Sequence, residues 1–346
     1  MKAAIPKPTV HDLAREAGVS LATVDRVLNE RPGVREKTVE RVKAAVERIG
    51  YVRDTHAANL ARRRQYRFAI VLPEGPSQFV DTLRSAVREA SGAQFAERAL
   101  VETIPIPSHD PHAVARTLNG LNTARLDGVA IMAPETPQVR DAVDRLKGEG
   151  LAVVALVSDL PSSDRDFFVG INSFAAGRTA AVLMGRFLRG LTGRILVVTN
   201  TMQARDSIER RFGFDAVMAD EFPALDVLPS IESHDDPERM RRCVGEALAS
   251  YGDIRGVYSM GSGNTPLLEG LRGAGDLTDR VVIAHEMTPV TRQALLDGEV
   301  DAVITQNVGH LVRSALRVLR ARCDGVEIFE PQERIRIDIV IRENLT

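Results

Sequence analysis

The chain has 346 residues, 44% hydrophobic, and so exceeds one ordinary domain and can bury a large core. Two cysteines, Cys243 and Cys323, exclude a disulfide framework, and no stretch approaches the ~18 consecutive apolar residues of a membrane-spanning helix. The net charge of −2 hides an asymmetry: residues 1–67 hold 15 Lys/Arg against 8 Asp/Glu, and the remainder is acidic, which suits a polyanion partner for the first part only. The first 30 residues lack the apolar core of a signal peptide, so the expected location is cytoplasmic.

Thr9 precedes apolar residues at Val10, Leu13, Ala14 and Ala17, the spacing of one helix face. With Asp12 three positions on, Thr9 predicts a capping box. Gly18 supplies the positive φ with which many helices end. Ser20 is placed to cap a second helix whose inward face is Val24, Val27 and Leu28, leaving Leu21, Ala22, Asp25 and Arg26 outward. Two short helices joined by Gly-Val-Ser read as a helix-turn-helix. A third helix follows, with Val39, Val42, Val46 and Ile49 at helical spacing and Gly50 as its stop. Arg35 stands where a Ser or Thr cap would be natural.

Residues 9–64 resemble the headpiece of the LacI family of bacterial transcription regulators. The matching residues are Ala17-Gly18-Val19-Ser20, Thr23-Val24, Arg26-Val27-Leu28-Asn29, Val34, Ile49-Gly50-Tyr51 and Leu60-Ala61. The resemblance implies a double-stranded DNA partner, contacted by Thr9, Ser20, Leu21, Ala22, Thr23, Arg26 and Asn29. Asp25 departs from the family, which usually has a small hydroxyl residue there. A carboxylate repels phosphate, so Asp25 pairs with Arg26 or another nearby arginine, or accepts from a cytosine amine.

Residues 52–67 read as a linker with helical character, ending in Arg62, Arg63, Arg64 and Arg67. The arginines suit either solvent or a nearby anion. The segment resembles the family's hinge helix, in which a leucine wedges into the minor groove. Leu60 is the matching residue, and Arg62 flanks it toward phosphate.

From residue 68 the pattern changes. Apolar runs at 68–72, 99–104, 128–132, 152–157 and 167–171 are followed by a second series at 194–199, 226–231, 256–259, 281–284 and 302–305. Helix-like stretches lie between them at 82–90, 137–149, 175–188, 208–219, 237–249, 266–271 and 309–322. Strand–helix alternation with continuous apolar strands predicts parallel sheets covered on both faces. The expected fold is an all-α three-helix headpiece (1–51), a linker (52–67) and an α/β domain of two doubly wound lobes (68–346). The resemblance implies a periplasmic-binding-protein-like domain, with lobe 1 at 68–172 and 307–325 and lobe 2 at 173–306 and 326–346.

Ligands of such sheets bind beyond the carboxyl ends of the strands, here in the cleft between lobes. Gln78 and Phe79 follow the first strand; Phe79 either stacks on a sugar ring or packs on the next helix. Ser158 and Asp159 follow the fourth. Asp159 resembles the carboxylate that sugar-binding relatives place against ring hydroxyls, or else it caps a turn. Arg205 and Asp206 follow the 194–199 strand, where the family often uses an arginine. Its usual place, six before the phenylalanine matched by Phe214, is Ile208, so the choice between Arg205 and Asp206 stays open. Gly261-Ser262-Gly263-Asn264 lacks the Lys-Ser/Thr ending of a P-loop. Its glycines let the backbone approach a ligand, with Asn264 donating and accepting. Glu286 resembles the family's acidic ligand position, and Gln306 a recurrent hydroxyl-binding glutamine. Together these groups suit a neutral polyhydroxylated ligand.

No cofactor and no metal are expected. His109 and His112 flank a helix start at Asp110-Pro111, and His285-Glu286 lacks the second His of a zinc helix. The expected protein is a homodimeric regulator, a repressor of sugar or polyol catabolism. It binds a near-palindromic operator and leaves it when a sugar or polyol binds, with no membrane partner. A ligand acting as co-repressor is the alternative, and a sugar receptor without DNA function the rival. An enzyme of the same two-lobe shape, with Glu286 as its base, is a second rival.

Overall fold

Thr9 and Asp12 cap each other at the start of α1 (Val10–Ala17). The Thr9 N–H donates to Asp12 Oδ2 at 2.9 Å, and the Asp12 N–H donates to Thr9 Oγ1 at 3.3 Å. Gly18, at φ +61°, closes this helix in the left-handed region. Ser20 Oγ accepts from the Thr23 N–H at 3.2 Å and caps α2 (Leu21–Leu28). The third helix, α3 (Glu36–Ile49), starts at Arg35 without a side-chain cap and stops at Gly50, φ +63°. Leu13, Ala14, Ala17, Val24, Val42, Ala45 and Tyr51 form the core of this unit. Val27, Leu28, Val46 and Ile49 are only half-buried against it, and Val39 is half-buried. Ala45 carries little hydrophobic signal, but its small side chain suits the close packing of α1 on α3. Glu16 and Arg48 join these two helices at 2.6 Å.

The structure is a computed structural model that describes residues 8–28, 31–51, 65–92, 99–107, 110–261, 263–275 and 279–345. Asn29, Leu60 and Arg62, with most of the linker, lie outside the described residues. The contacts divide the chain into residues 1–64 and 65–346.

In the second unit, β1 (Tyr66–Pro73), β2 (Ala99–Ile106), β3 (Gly128–Ile131), β4 (Ala152–Leu156) and β5 (Phe167–Val169) form a parallel sheet in the order β2-β1-β3-β4-β5. The helices α4 (Gln78–Gly92), α5 (Pro111–Asn119) and α6 (Pro137–Gly148) connect these strands. Phe68, Ile70 and Leu72 of β1 enter one hydrophobic layer, and Ala69 and Val71 the other. Both faces are buried, which is why the strand reads as a continuous apolar run.

The second sheet contains β6 (Gly193–Thr199), β7 (Leu225–Val227), β8 (Ile231–Glu232), β9 (Ile254–Ser259), β10 (Val281–His285), β11 (Ala302–Thr305) and β12 (Asp338–Val340). Its order is β12-β11-β10-β9-β6-β7, with β8 also paired to β6 and β12 antiparallel to β11. The expected single strand at 226–231 is two short ones, broken at Leu228-Pro229-Ser230, where Pro229 has no N–H to donate. The helices are α7 (Ser173–Phe187), α8 (Arg205–Glu221), α9 (Pro237–Ser250), α10 (Asn264–Gly273), α11 (Pro289–Asp297), α12 (Val308–Asp324) and the single turn α13 (Glu330–Glu333).

The chain passes between the sheets after β5, after β11 and after α12. The helix α12 packs on β3 and β4 of the first sheet, while β12 closes the edge of the second. All the parallel strands of both sheets therefore end in loops that can face one another. Among the described residues, no helix is long and apolar enough to cross a membrane.

Candidate functional sites

On the first unit, α2 presents Leu21 (41% exposed), Ala22, Asp25 and Arg26 to solvent while Val24 is buried. Thr9 and Ser20 are exposed at the starts of α1 and α2, and Ser20 Oγ lies 2.9 Å from the half-buried Thr23 hydroxyl. Asp25 pairs with Arg31 at 3.3 Å, which leaves the Arg26 side chain on the exposed face. A short exposed helix face with an arginine near its end fits a DNA groove.

On the second unit, two adjoining hollows of about 280 and 160 Å³ share Ser77, Asp235 and Gly261. The larger is lined by Gln78, Phe79, Asn264 and Glu286, and the smaller by Ser158, Asn200 and Asp206. Gln78, Phe79 and Ser158 come from the first sheet's side and the others from the second, so the hollows occupy the cleft between the sheets. Phe79 is 8% exposed and packs mainly into the core beneath, while Gln78 is exposed.

The floor of the cleft is a buried polar cluster. Arg210, which the sequence reading did not single out, is 2% exposed at its centre. Its guanidinium lies 3.5 Å from Glu286 Oε1 and 3.7 Å from Asp206 Oδ2, and donates to the Met260 carbonyl at 2.5 Å. Gln306 Nε2 donates to Glu286 Oε1 at 3.1 Å. Asn264 bridges two strand ends: it accepts from Ser259 Oγ at 2.7 Å and donates to the His285 carbonyl at 3.0 Å. Beneath it, Tyr258 stacks on Phe214 and its hydroxyl meets His285 Nε2 at 2.8 Å. Arg210 could have been found from the sequence: it is one turn after Asp206 on the helix that carries Phe214.

Electrostatics follow from burial. Burial pushes the Glu286 carboxyl up to about 7, against the downward pull of Arg210 and Gln306. Burial, followed by the Arg210 charge, holds His285 well below its ordinary value, so its imidazole is neutral. Ser158 Oγ, Arg210 Nε, His285 Nδ1, Glu286 Oε2 and Gln306 Oε1 are buried without a protein partner. Buried polar atoms are nearly always paired, so this concentration makes the cleft the candidate ligand site.

Two strand ends are strained toward the cleft. Val157 has φ +66° and Glu286 φ +71°, a region that non-glycine residues rarely adopt. The Ser158 N–H donates to the Leu156 carbonyl at 2.7 Å, so the chain turns within one residue. This turn puts Ser158, not Asp159, in the cleft.

Three sequence candidates stand elsewhere. Asp159 forms a two-point ion pair with Arg165 (Oδ2 to Nη2 at 2.7 Å) and lines a separate hollow with Phe168 and Phe174. Arg205 donates to Glu135 at 2.7 Å and to Glu209 at 2.7 Å, joining the end of β3 to the start of α8 across the cleft instead of lining it. Burial pushes the Glu135 carboxyl up, but hydrogen bonds from Ser162 and Arg205 outweigh it and hold the group below its ordinary value. Gln306 lies behind Glu286, 3% exposed. Among the described residues, no three His, Cys, Asp or Glu side chains form a metal-ligand group.

Residues 68–327 match the profile of the periplasmic binding protein domain, and residues 9–54 that of bacterial regulatory proteins, lacI family. The chain is similar to the HTH-type transcriptional regulator DegA of Bacillus subtilis (strain 168), with 26% identity over 176 residues, 51% of each chain. It is similar to catabolite control protein A of Priestia megaterium, with 27% identity over 150 residues, 43% of each. These matches span about half the length of those relatives or less. The fold is that of an ABC transporter solute-binding protein from Burkholderia graminis C4D1M in complex with D-arabinose: TM-score 0.74 and 23% identity, covering 82% of this chain and 98% of that one.

Proposed function

Because this chain belongs to the lacI family of bacterial regulatory proteins, we propose that it is a DNA-binding transcription regulator whose cleft takes a small polyhydroxylated effector. The observation that carries the effector half is the set of unpartnered buried groups at the strand ends, with Glu286 and Ser158 lining the hollows. Hydroxyls can donate to carboxylate and amide oxygens and accept from Arg210 and Ser158, so a sugar or polyol answers the unpaired atoms. The likeness to a protein bound to D-arabinose supports a sugar.

The DNA half rests on α2 and its exposed Leu21, Ala22 and Arg26. One such helix reaches few base pairs, so two copies related by twofold symmetry read a near-palindromic operator as a dimer. The effector releases the operator, and the regulated genes serve sugar or polyol catabolism. Effector and operator then act through the same lobe equilibrium, and each weakens the other by the same factor, ~1–3 kcal/mol in typical coupled systems.

The test has two arms. Operator sites are selected from genomic fragments with the full chain, and fluorescence anisotropy follows their release while sugars and polyols are titrated. Release by a neutral sugar is the expected result. Tighter operator binding with sugar reverses the sign of the coupling, and an aromatic acid or purine as best effector removes the hydroxyl argument.

A further inference from the structure

The cleft holds more carboxylates than cations. Glu74, Asp206, Asp235, Asp236, Glu269 and Glu286 line the two hollows. Among the described lining residues Arg241 is the one Lys or Arg, and it is shared between Glu269 and Glu238, each at 2.5 Å. Arg210, beneath the floor, is shared between Asp206 and Glu286. A phosphate or carboxylate ligand would enter a field of its own sign, in which the charge of each guanidinium is already shared with two carboxylates.

The floor adds an independent observation. Glu286 is 4% exposed, lines the larger hollow, and its Oε2 has no protein partner. In the neighbouring side chain, Gln306 Oε1 is also unpartnered, and the bond from Gln306 Nε2 to Glu286 fixes that oxygen as an acceptor. Gln306 lies behind Glu286 and lines neither hollow, so Glu286 Oε2 is the acceptor that the larger hollow offers a ligand. A hydroxyl donates one hydrogen bond, whereas an ammonium donates three and brings a positive charge. Charge-assisted bonds of this kind are about twice as strong as neutral ones.

We infer that the effector of this cleft is a polyhydroxylated amine, an amino sugar or aminocyclitol, whose ammonium lies against Glu286 Oε2, and that anionic sugars are excluded. The inference rests on the cleft being the effector site proposed above. Ring hydroxyls then meet Ser158 and Asn264 at the other strand ends, and the carboxylates of the walls raise the local concentration of the cation.

Matched series separate the possibilities. Isothermal titration calorimetry of the full chain compares D-glucosamine, D-glucose and D-glucuronate, then the galactose and mannose counterparts. In at least one series the amine binds about tenfold more tightly than its neutral parent, the factor that one added charge-assisted bond supplies, and the acid does not bind. The amine's advantage shrinks in 0.5 M salt, where the field is screened to about 4 Å. Glu286→Gln removes the amine's advantage while circular dichroism reports an intact fold. Neutral sugars that bind as well as their amines in every series, or an acid that binds better, overturn the inference and leave the effector site standing. An amine preference that survives Glu286→Gln also overturns it. No binding by any member of any series overturns both this inference and the reading beneath it.

Discussion

Glu286 sits in a backbone conformation and a dielectric that both oppose it. Its left-handed φ costs on the order of 1–3 kcal/mol, and burial raises its carboxyl from 4.5 to about 7. Between those two values the folded protein holds more protons at this site than the unfolded chain does. Stability therefore falls as pH rises through that window, and the cost is fully present above it. The shift corresponds to roughly 3 kcal/mol. Glu286→Gln should match the parent most closely near pH 5 and gain on it by up to that amount near pH 8. Urea unfolding at both pH values checks this; a difference that does not change with pH would mean that Glu286 does not ionise in the window. The same residue shows what the sequence conveyed and what it withheld. Its place after an apolar run marked a strand end, but its unpartnered oxygen depends on Arg210 and Gln306, which come from other elements.

At the level of elements, two glycines let α7 and α8 touch. A Cβ at Gly177 would stand 1.9 Å from the Arg210 carbonyl, and one at Gly213 would stand 2.0 Å from that of Phe174. This contact fixes the height of Arg210 beneath the cleft. Gly177→Ala should destabilise by about 3 kcal/mol or more, because backbone would have to shift to admit the methyl group. Gly148→Ala, at the exposed end of α6 where nothing lies within 4 Å, is the control and should be neutral or mildly stabilising. Thermal unfolding of the two variants separates overpacking from a general intolerance of alanine. On the other unit, Arg26→Ala should weaken operator binding by at least tenfold, about one base contact, and binding to random DNA far less. Equal losses on both would assign Arg26 to phosphate. The Asp25–Arg31 pair is exposed on both sides, so its removal should hardly affect stability.

Across the whole second unit, Glu135 and Arg205 join the two sheets at the cleft. Arg205 is more than one-third exposed, so solvent screens the pair and its net worth is small. A small bias still shifts an equilibrium between two arrangements of the lobes. Glu135→Gln should weaken effector binding roughly two- to fivefold and increase the radius of gyration of the free protein in X-ray scattering. Unchanged affinity and unchanged scattering would show that the pair follows the lobe arrangement without influencing it.

The sequence by itself determined the local pieces: the capping box at Thr9, the Gly18 and Gly50 stops, the Ser20 cap, and the apolar runs that became the parallel strands. Each is decided within a few residues, by φ freedom, by an orphan N–H or by continuous burial. Glu286 and Asn264 were legible because strand ends and glycines announce them. Only the tertiary structure decided which strand-end groups meet. Asp159 and Ser158 are neighbours in the chain, yet the left-handed Val157 sends the serine to the cleft and the aspartate to Arg165. Arg205 and Arg210 lie on one helix, yet the first spans to Glu135 and the second is sealed between Asp206 and Glu286. Pairing of charges across 70 and 76 positions of sequence depends on how sheets and helices are stacked, and no local pattern carries that information.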